Sequence, residues 1–392
     1  MTKINLMKAI VKTLKWIIIS MIVLVVGLYI FGYDYIFKGI QVVYMTGHTT
    51  AFIDDYTYFD NRSIETSKTQ SWEVSKSYNS AKPTKKLKET HQKFETSAYL
   101  IIKNGKIWHE YYSENYDKFS KTNSFSMAKS ITVSLLFKAI QDGYIDNLDQ
   151  PITDFIPDYK GEYASECSVG DLASMASGLN WDEHYYSPFS MTAKAYYDND
   201  IKDLLLGLKI NEKPGETFKY LSGNTQLLGM ILEKATHKSL SEYLSQSFWR
   251  PMGMNDLGLW QLDDVENGME KTYCCISTNA RNFAKFGQLY LQKGQWKGEQ
   301  LLNPSYVKLA TKPRFDDAEH YGYGFWLSSY KDKNIFTMRG ILGQYVIVIP
   351  EDNLVIVRLG HRRSPKKINQ FPEDFYIYID ETYRMLSSEF TG

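Results

Sequence analysis

Ser126 and Lys129 stand three residues apart in "SFSMAKSITVSLLFKAI" (124–140), just ahead of a run dominated by Ile, Val, Leu and Phe. On a helix that spacing places both side chains on one face of the first turn. A serine hydroxyl attacks well only when a neighbour takes its proton, and burial among apolar groups disfavours the ammonium form of a lysine. Lys129 is therefore a candidate base for a Ser126 nucleophile. The free N–H groups and dipole of the helix N-terminus would favour negative charge developing there.

Two further segments carry residue types that this chemistry needs. "PGETFKYLSGN" (214–224) sets Tyr220 and Ser222 two apart on a loop before the next helix. Both can face one cleft, where the phenol could relay a proton to a leaving group. "MRGILGQY" (338–345) ends an apolar run, and Gly340 removes a side chain where a substrate carbonyl must come close. The N–H groups of Ser126 and Ile341 would then form an oxyanion hole. Each segment also has an ordinary reading: a serine can cap a helix, a first-turn lysine can reach to water, a loop tyrosine packs, and glycine is common at strand ends. Ser305/Lys308, Ser328/Lys331 and Ser364/Lys367 repeat the serine–lysine spacing. Among the four, Ser126 alone opens a long buried helix.

The elements that must position these residues follow from periodicity. "SAYLIIKNGKIWHEYY" (97–112) reads as two strands joined at Asn104-Gly105, a tight-hairpin signal. Helical patterns occupy 124–142, a short piece near 168–177, 192–207, 223–236, 239–249 and 278–294. "YGYGFWLSSY", "NIFTMRG", "YVIVIP" and "LVIVRLG" are β-rich, Glu351-Asp352-Asn353 turns between the last two, and a final helix covers about 372–388. Strands at both ends of a helical middle predict an α+β fold, with one antiparallel sheet built from both chain ends, flanking helices and an inserted helical lobe.

With 392 residues, 43% apolar and 15% aromatic, the chain can bury an enzyme-sized core. Lys+Arg and Asp+Glu balance at 45 each, which leaves no basic footprint for nucleic acid. Cys167, Cys274 and Cys275 form neither a CxxC pair nor a spaced set, so neither a disulfide framework nor a zinc site is expected. The seven histidines contain no HxH or HxxxH pair, and no phosphate-binding glycine motif is present; no metal or cofactor is expected. Lys3, Lys8, Lys12 and Lys15 precede "WIIISMIVLVVGLYIF", 16 uncharged residues. This predicts an N-terminal transmembrane helix over 1–33 with its lysine end in the cytoplasm, an uncleaved signal anchor being the reading and a cleaved signal peptide the alternative. An extension over 34–93 packs on a main domain at 94–392, on the extracytoplasmic side.

Ser126-x-x-Lys129, Tyr220-x-Ser222 and Met338-Arg339-Gly340 resemble the three motifs of the serine β-lactamase and penicillin-binding-protein superfamily, in its class C-like branch. "MASGLNWDEHYY", "CCISTNARNFAKFGQLYLQKG" and "GYGFWL" look most like the 6-aminohexanoate-dimer (nylon-oligomer) hydrolases of that branch. The likeness covers about residues 70–385. It implies a β-lactamase/transpeptidase-like fold, Ser126 as acylated nucleophile, Lys129 as its base partner and Tyr220 as proton relay. It also implies Tyr185, Ser222 and Gly340 at the substrate, with Tyr186 the alternative register for Tyr185. Class C enzymes carry Asn at Ser222 and Lys or His at Met338, so the resemblance favours an amide hydrolase over a lactamase. A carboxylesterase or a D-amino-acid or peptidoglycan-directed peptidase on the same groups, and a non-catalytic anchored sensor, are the rivals. Which of Lys129 and Tyr220 is the resting base stays open in the sequence.

Overall fold

The computed structural model describes residues 3–266 and 268–388. A six-stranded antiparallel sheet takes the order Lys106–Tyr112, Thr96–Lys103, Leu354–Gly360, Gln344–Ile349, Lys333–Gly340, Trp326–Tyr330. The N-terminal hairpin and the C-terminal strands thus join edge to edge, with Val357 opposite Leu100 and Tyr345 opposite Arg358. Asn104 takes the left-handed conformation in the hairpin turn, and Asn353 does so in the turn before the sixth strand. Both residue types tolerate it.

The last strands read as unbroken apolar runs because both sheet faces are covered. Val346, Val348, Val355 and Val357 enter the core shared with the helical lobe. Their neighbours Tyr345, Ile347, Ile349 and Ile356 enter a second core beneath the C-terminal helix Glu373–Ser388. On the first side lie the helices Met127–Gln141, Ser222–Thr236 and Ala280–Leu291. Val346, Val348 and Val355 press so closely on Gly287 that a Cβ there would stand 2.7 Å from Val346.

Three departures from the sequence reading have local causes. The helix expected over 192–207 is two, Met191–Tyr197 and Ile201–Leu206, and the Asp200 side chain caps the second by accepting the Asp203 N–H. A four-stranded sheet unforeseen in the sequence, ordered Asn61–Ile64, Gly258–Gln261, Ile276–Thr278, Thr122–Asn123, ties the extension to the lobe. Finally, Cys274 and Cys275 are bonded to each other, a pairing the sequence reading did not anticipate. Adjacent cysteines enclose almost no chain, so this bond is no framework.

The N-terminal helix runs Lys3–Ile30, three turns beyond the uncharged segment, because lysine is a good helix former. Its span Ile4–Ile30 has a mean hydropathy of 2.2 and none of it is buried against the body. By length and composition it can cross a membrane.

Candidate active site

The short strand Thr122–Asn123 delivers the chain to Ser126. Ser124 N–H donates to Ile276 O at 2.8 Å, its hydroxyl accepts from Ile276 N at 3.0 Å, and Asn123 Oδ1 accepts from Phe125 N at 2.9 Å. Phe125 is held at φ 44, a conformation that costs a phenylalanine free energy and that these bonds enforce. The chain then turns directly into the helix. Ser126 occupies its N-cap position but its hydroxyl caps nothing. That oxygen is instead an acceptor for Lys129 Nζ at 3.1 Å.

Lys129 does not reach to water: it is 1% exposed. Its Nζ also donates to Ser222 Oγ at 3.2 Å and to Tyr273 O at 2.8 Å, filling all three ammonium N–H positions. The rings of Tyr220 and Tyr273 flank it at 5.1 and 5.5 Å. Among the described residues no carboxylate forms an ion pair with it. In the other three serine–lysine matches the two side chains do not meet: Ser305 bonds Asn303, Lys331 pairs with Asp380, and Ser364 bonds Lys366 N.

Ser222 begins the next helix and extends the network. Its hydroxyl donates to Glu183 Oε1 at 2.7 Å and its N–H to Glu183 Oε2 at 2.6 Å. Tyr185, 47% exposed, donates its hydroxyl to the same carboxylate, whereas Tyr186 is fully exposed. Burial of its hydroxyl, followed by the charge of Glu183, pushes the Tyr185 pKa well up. Glu183 and Tyr273 were missed in the sequence. Glu183 lies in the quoted "WDEHYY" but 39 residues from its partner, and Tyr273 contributes a backbone oxygen that no residue type announces.

Tyr220 sits differently from the expectation. It offers Lys129 its ring face, and its hydroxyl makes no hydrogen bond to Lys129 or Ser126 among the described residues. Ser222 holds the lysine in its stead.

The strand Lys333–Gly340 closes the other wall. A Cβ on Gly340 would stand 2.4 Å from Ser124 O and 3.2 Å from Phe125 Cβ, so only glycine lets this strand end meet the segment leading into Ser126. The following turn, Ile341–Gly343, has Leu342 at φ 61. Buried Arg358 donates to Leu342 O at 2.9 Å and Gly343 O at 2.8 Å, while Gln344 Nε2 donates to Ile341 O at 3.2 Å. Met338 is buried at the position where the resemblance expects a cation.

The beta-lactamase family model matches residues 84–375. A 6-aminohexanoate-dimer hydrolase of Paenarthrobacter ureafaciens is 24% identical over 293 residues, 69% of this chain and 74% of that one. Protein flp of Staphylococcus aureus (strain NCTC 8325 / PS 47) is 27% identical over 302 residues, 68% of this chain, and the match spans 60% of its length. A solved chain from Bacillus anthracis assigned to the 6-aminohexanoate-dimer hydrolases superposes with a TM-score of 0.72 at 20% identity, covering 87% of this chain and 93% of that one. The fold is β-lactamase/transpeptidase-like, and the chain belongs to the beta-lactamase family.

Proposed function

We propose that the protein is a membrane-anchored serine hydrolase that cleaves an amide bond of a small molecule through an acyl-enzyme. The observation that carries this reading is the buried Lys129 side chain, bonded to Ser126 and Ser222 with no carboxylate paired to it among the described residues. A buried amine whose partners are two hydroxyls and a carbonyl is placed to exchange protons with those hydroxyls, which supports a proton-transfer role. With Lys129 as the free amine, Ser126 Oγ attacks the carbonyl carbon as Lys129 Nζ takes its proton. The N–H groups of Ser126 and Ile341 receive the oxyanion, and the Ser222 hydroxyl and Tyr220 line the path by which the proton reaches the leaving nitrogen. Water then attacks the acyl ester and the same groups run in reverse.

Two comparisons support amide over lactam. The P. ureafaciens hydrolase bears a linear-amide name, and here Met338 supplies no cation at the position where class C enzymes carry one. The lysine-rich end of the N-terminal helix would stay in the cytoplasm and the body would lie outside it, which divides the chain into an anchor (1–33), an extension (34–93) and a hydrolase domain (94–392).

The test is intact-mass analysis after a fluorophosphonate probe, with peptide mapping. One adduct on Ser126, abolished in Ser126→Ala, is expected. Absence of any adduct would favour a non-catalytic sensor. Parallel assays with short p-nitrophenyl esters, linear amides and D-Ala peptides then rank the substrates, and an ester-only profile refutes the amide assignment.

A further inference from the structure

The N-terminal helix ends against the loop that follows Glu183 and Tyr185. Lys194 Nζ donates to Gly32 O at 3.4 Å, Tyr33 meets Phe189 edge to face with ring centroids 5.3 Å apart, and the Tyr35 hydroxyl donates to Pro188 O at 2.9 Å. A Cβ on Gly39 would stand 3.4 Å from the Tyr197 ring. The first residues after the helix therefore hold the segment 183–197 along its length, and Glu183 at its start bonds Ser222.

The surface at this junction lacks charge and displays rings. Residues 185–193 and 39–53 contain no Asp, Glu, Lys or Arg. Phe31 is 76% exposed, Phe189 59% and Tyr186 completely, and Ile40, Tyr44 and Met45 are exposed on the next turns of chain. Single exposed apolar side chains need no explanation, but a charge-free group of them continuous with an apolar helix does. The length of that helix identifies what covers them. At about 1.5 Å per residue, the 16 uncharged residues from Trp16 to Phe31 reach about 24 Å, short of a hydrocarbon core of about 30 Å. Lys12 and Lys15 hold the other end at the polar surface, so the shortfall draws the chain beyond Phe31 toward the bilayer, into the layer where tyrosine rings are favoured.

We propose that Tyr186 and Phe189, together with Phe31 and Tyr33, sit in the headgroup–acyl boundary of the membrane that the helix crosses. The loop that places Glu183 against Ser222 is thereby seated on the bilayer, not held away from it on a stalk. This rests on the membrane-anchored reading and is independent of the hydrolase chemistry.

The experiment places a nitroxide at Tyr186→Cys and, separately, at Phe189→Cys in the full-length chain, reconstituted in phosphatidylcholine vesicles. Cys167 is buried and Cys274 and Cys275 are bonded to each other, so the introduced thiol takes the label. Relaxation enhancement by oxygen, which enters lipid, is compared with that by a water-soluble nickel chelate. Val23→Cys reports the hydrocarbon and Lys297→Cys the water. The oxygen-to-nickel ratio at 186 and 189 is expected to lie several-fold above that at 297 and below that at 23. Tyr186 is fully exposed, so its label disturbs no packing, whereas Phe189→Cys gives up the contact with Tyr33. A ratio at 186 equal to that at 297, with position 23 in lipid, overturns the seating and leaves the anchor standing. An aqueous ratio at 23 overturns both. Nickel exclusion at 186 accompanied by spin–spin broadening that unlabelled protein dilutes away assigns the patch to a second copy of the chain and likewise overturns the proposal.

Discussion

Lys129 has three N–H bonds and three acceptors, yet it is buried with no carboxylate paired to it among the described residues. That combination makes a separation of stability from activity testable at one position. Lys129→Met removes a desolvated charge that three neutral hydrogen bonds compensate only in part, so Tm should hold or rise by about 2–4 °C. The same change should cut kcat/KM by roughly a thousandfold or more, because the hydroxyl loses its proton acceptor. Lys129→Arg keeps the charge but cannot surrender a proton, and should be as inactive as the methionine variant. Substantial activity in the arginine variant would recast the lysine as an electrostatic anchor. Ser222→Ala should slow kcat by about tenfold to a hundredfold with a smaller change in KM, since it cuts the link between Lys129 and Glu183. Sequence reasoning reached Ser126 and Lys129 because their spacing is local, and Ser222 because it stands two residues from Tyr220 in a segment that resembles the family's second motif. It did not reach Glu183 or the Tyr273 carbonyl, because nothing in 39 or 144 residues of intervening chain signals which groups fold onto one another.

The strand ending at Gly340 and its turn into Ile341 form the element on which the proposed oxyanion hole depends. Gly340→Ala would drive a methyl to 2.4 Å from Ser124 O, a contact that the backbone must relieve by moving. Loss of most turnover is expected, read as kcat falling more than KM rises; unchanged kcat would show that Ile341 plays no part. Gln344→Leu tests the same turn from behind. The side chain donates to Ile341 O and Gly360 O and accepts from Gly360 N, so its replacement should lower stability by about 1–3 kcal/mol, measured by denaturant midpoint, and depress kcat. The hairpin, the buried strands and the nucleophile helix were legible because their periods are their own. The pins on the turn were not, since Arg358 and Gln344 act across strands rather than along them. The four-stranded sheet was illegible for a similar reason: its strands are two to four residues long and pair Asn61 with Gln261 and Thr122 with Thr278.

Across the molecule, residues 35–64 brace the turn into Ser126 rather than merely following the N-terminal helix. Ile53 O accepts from Asn123 N at 2.7 Å, and Asp55 accepts from Asn123 Nδ2 at 3.0 Å and from the Tyr196 hydroxyl at 2.7 Å. Lys271 donates to Tyr196 O and stands 5.0 Å from the Phe59 ring, closing the seam. Two ionisable groups are thus buried in the seam: Asp55, bonded to Asn123 three residues upstream of Ser126, and Lys271, two residues before Tyr273. Burial raises the Asp55 pKa from 3.8 to about 6 and lowers that of Lys271 from 10.5 to about 7. Between about pH 4 and 6 the unfolded chain has released the Asp55 proton while the folded chain keeps it, so stability falls as pH rises through that window. Between about pH 7 and 10 the unfolded chain keeps the Lys271 proton that the folded chain has released, so stability climbs. The seam therefore imposes a minimum near pH 6–7, with limbs on the order of a few kcal/mol. Denaturant midpoints of the full chain in detergent micelles from pH 4 to 10 should trace that shape. Asp55→Asn should flatten the acid limb and Lys271→Met the alkaline limb. Because Asn123 takes its bonds from this seam and in turn holds Phe125 N, Asp55→Ala should also lower kcat although Asp55 touches neither Ser126 nor Lys129. Wild-type kcat in that variant, or an unchanged pH profile in Lys271→Met, would mean that the extension is held by apolar packing alone and leaves the nucleophile turn to itself.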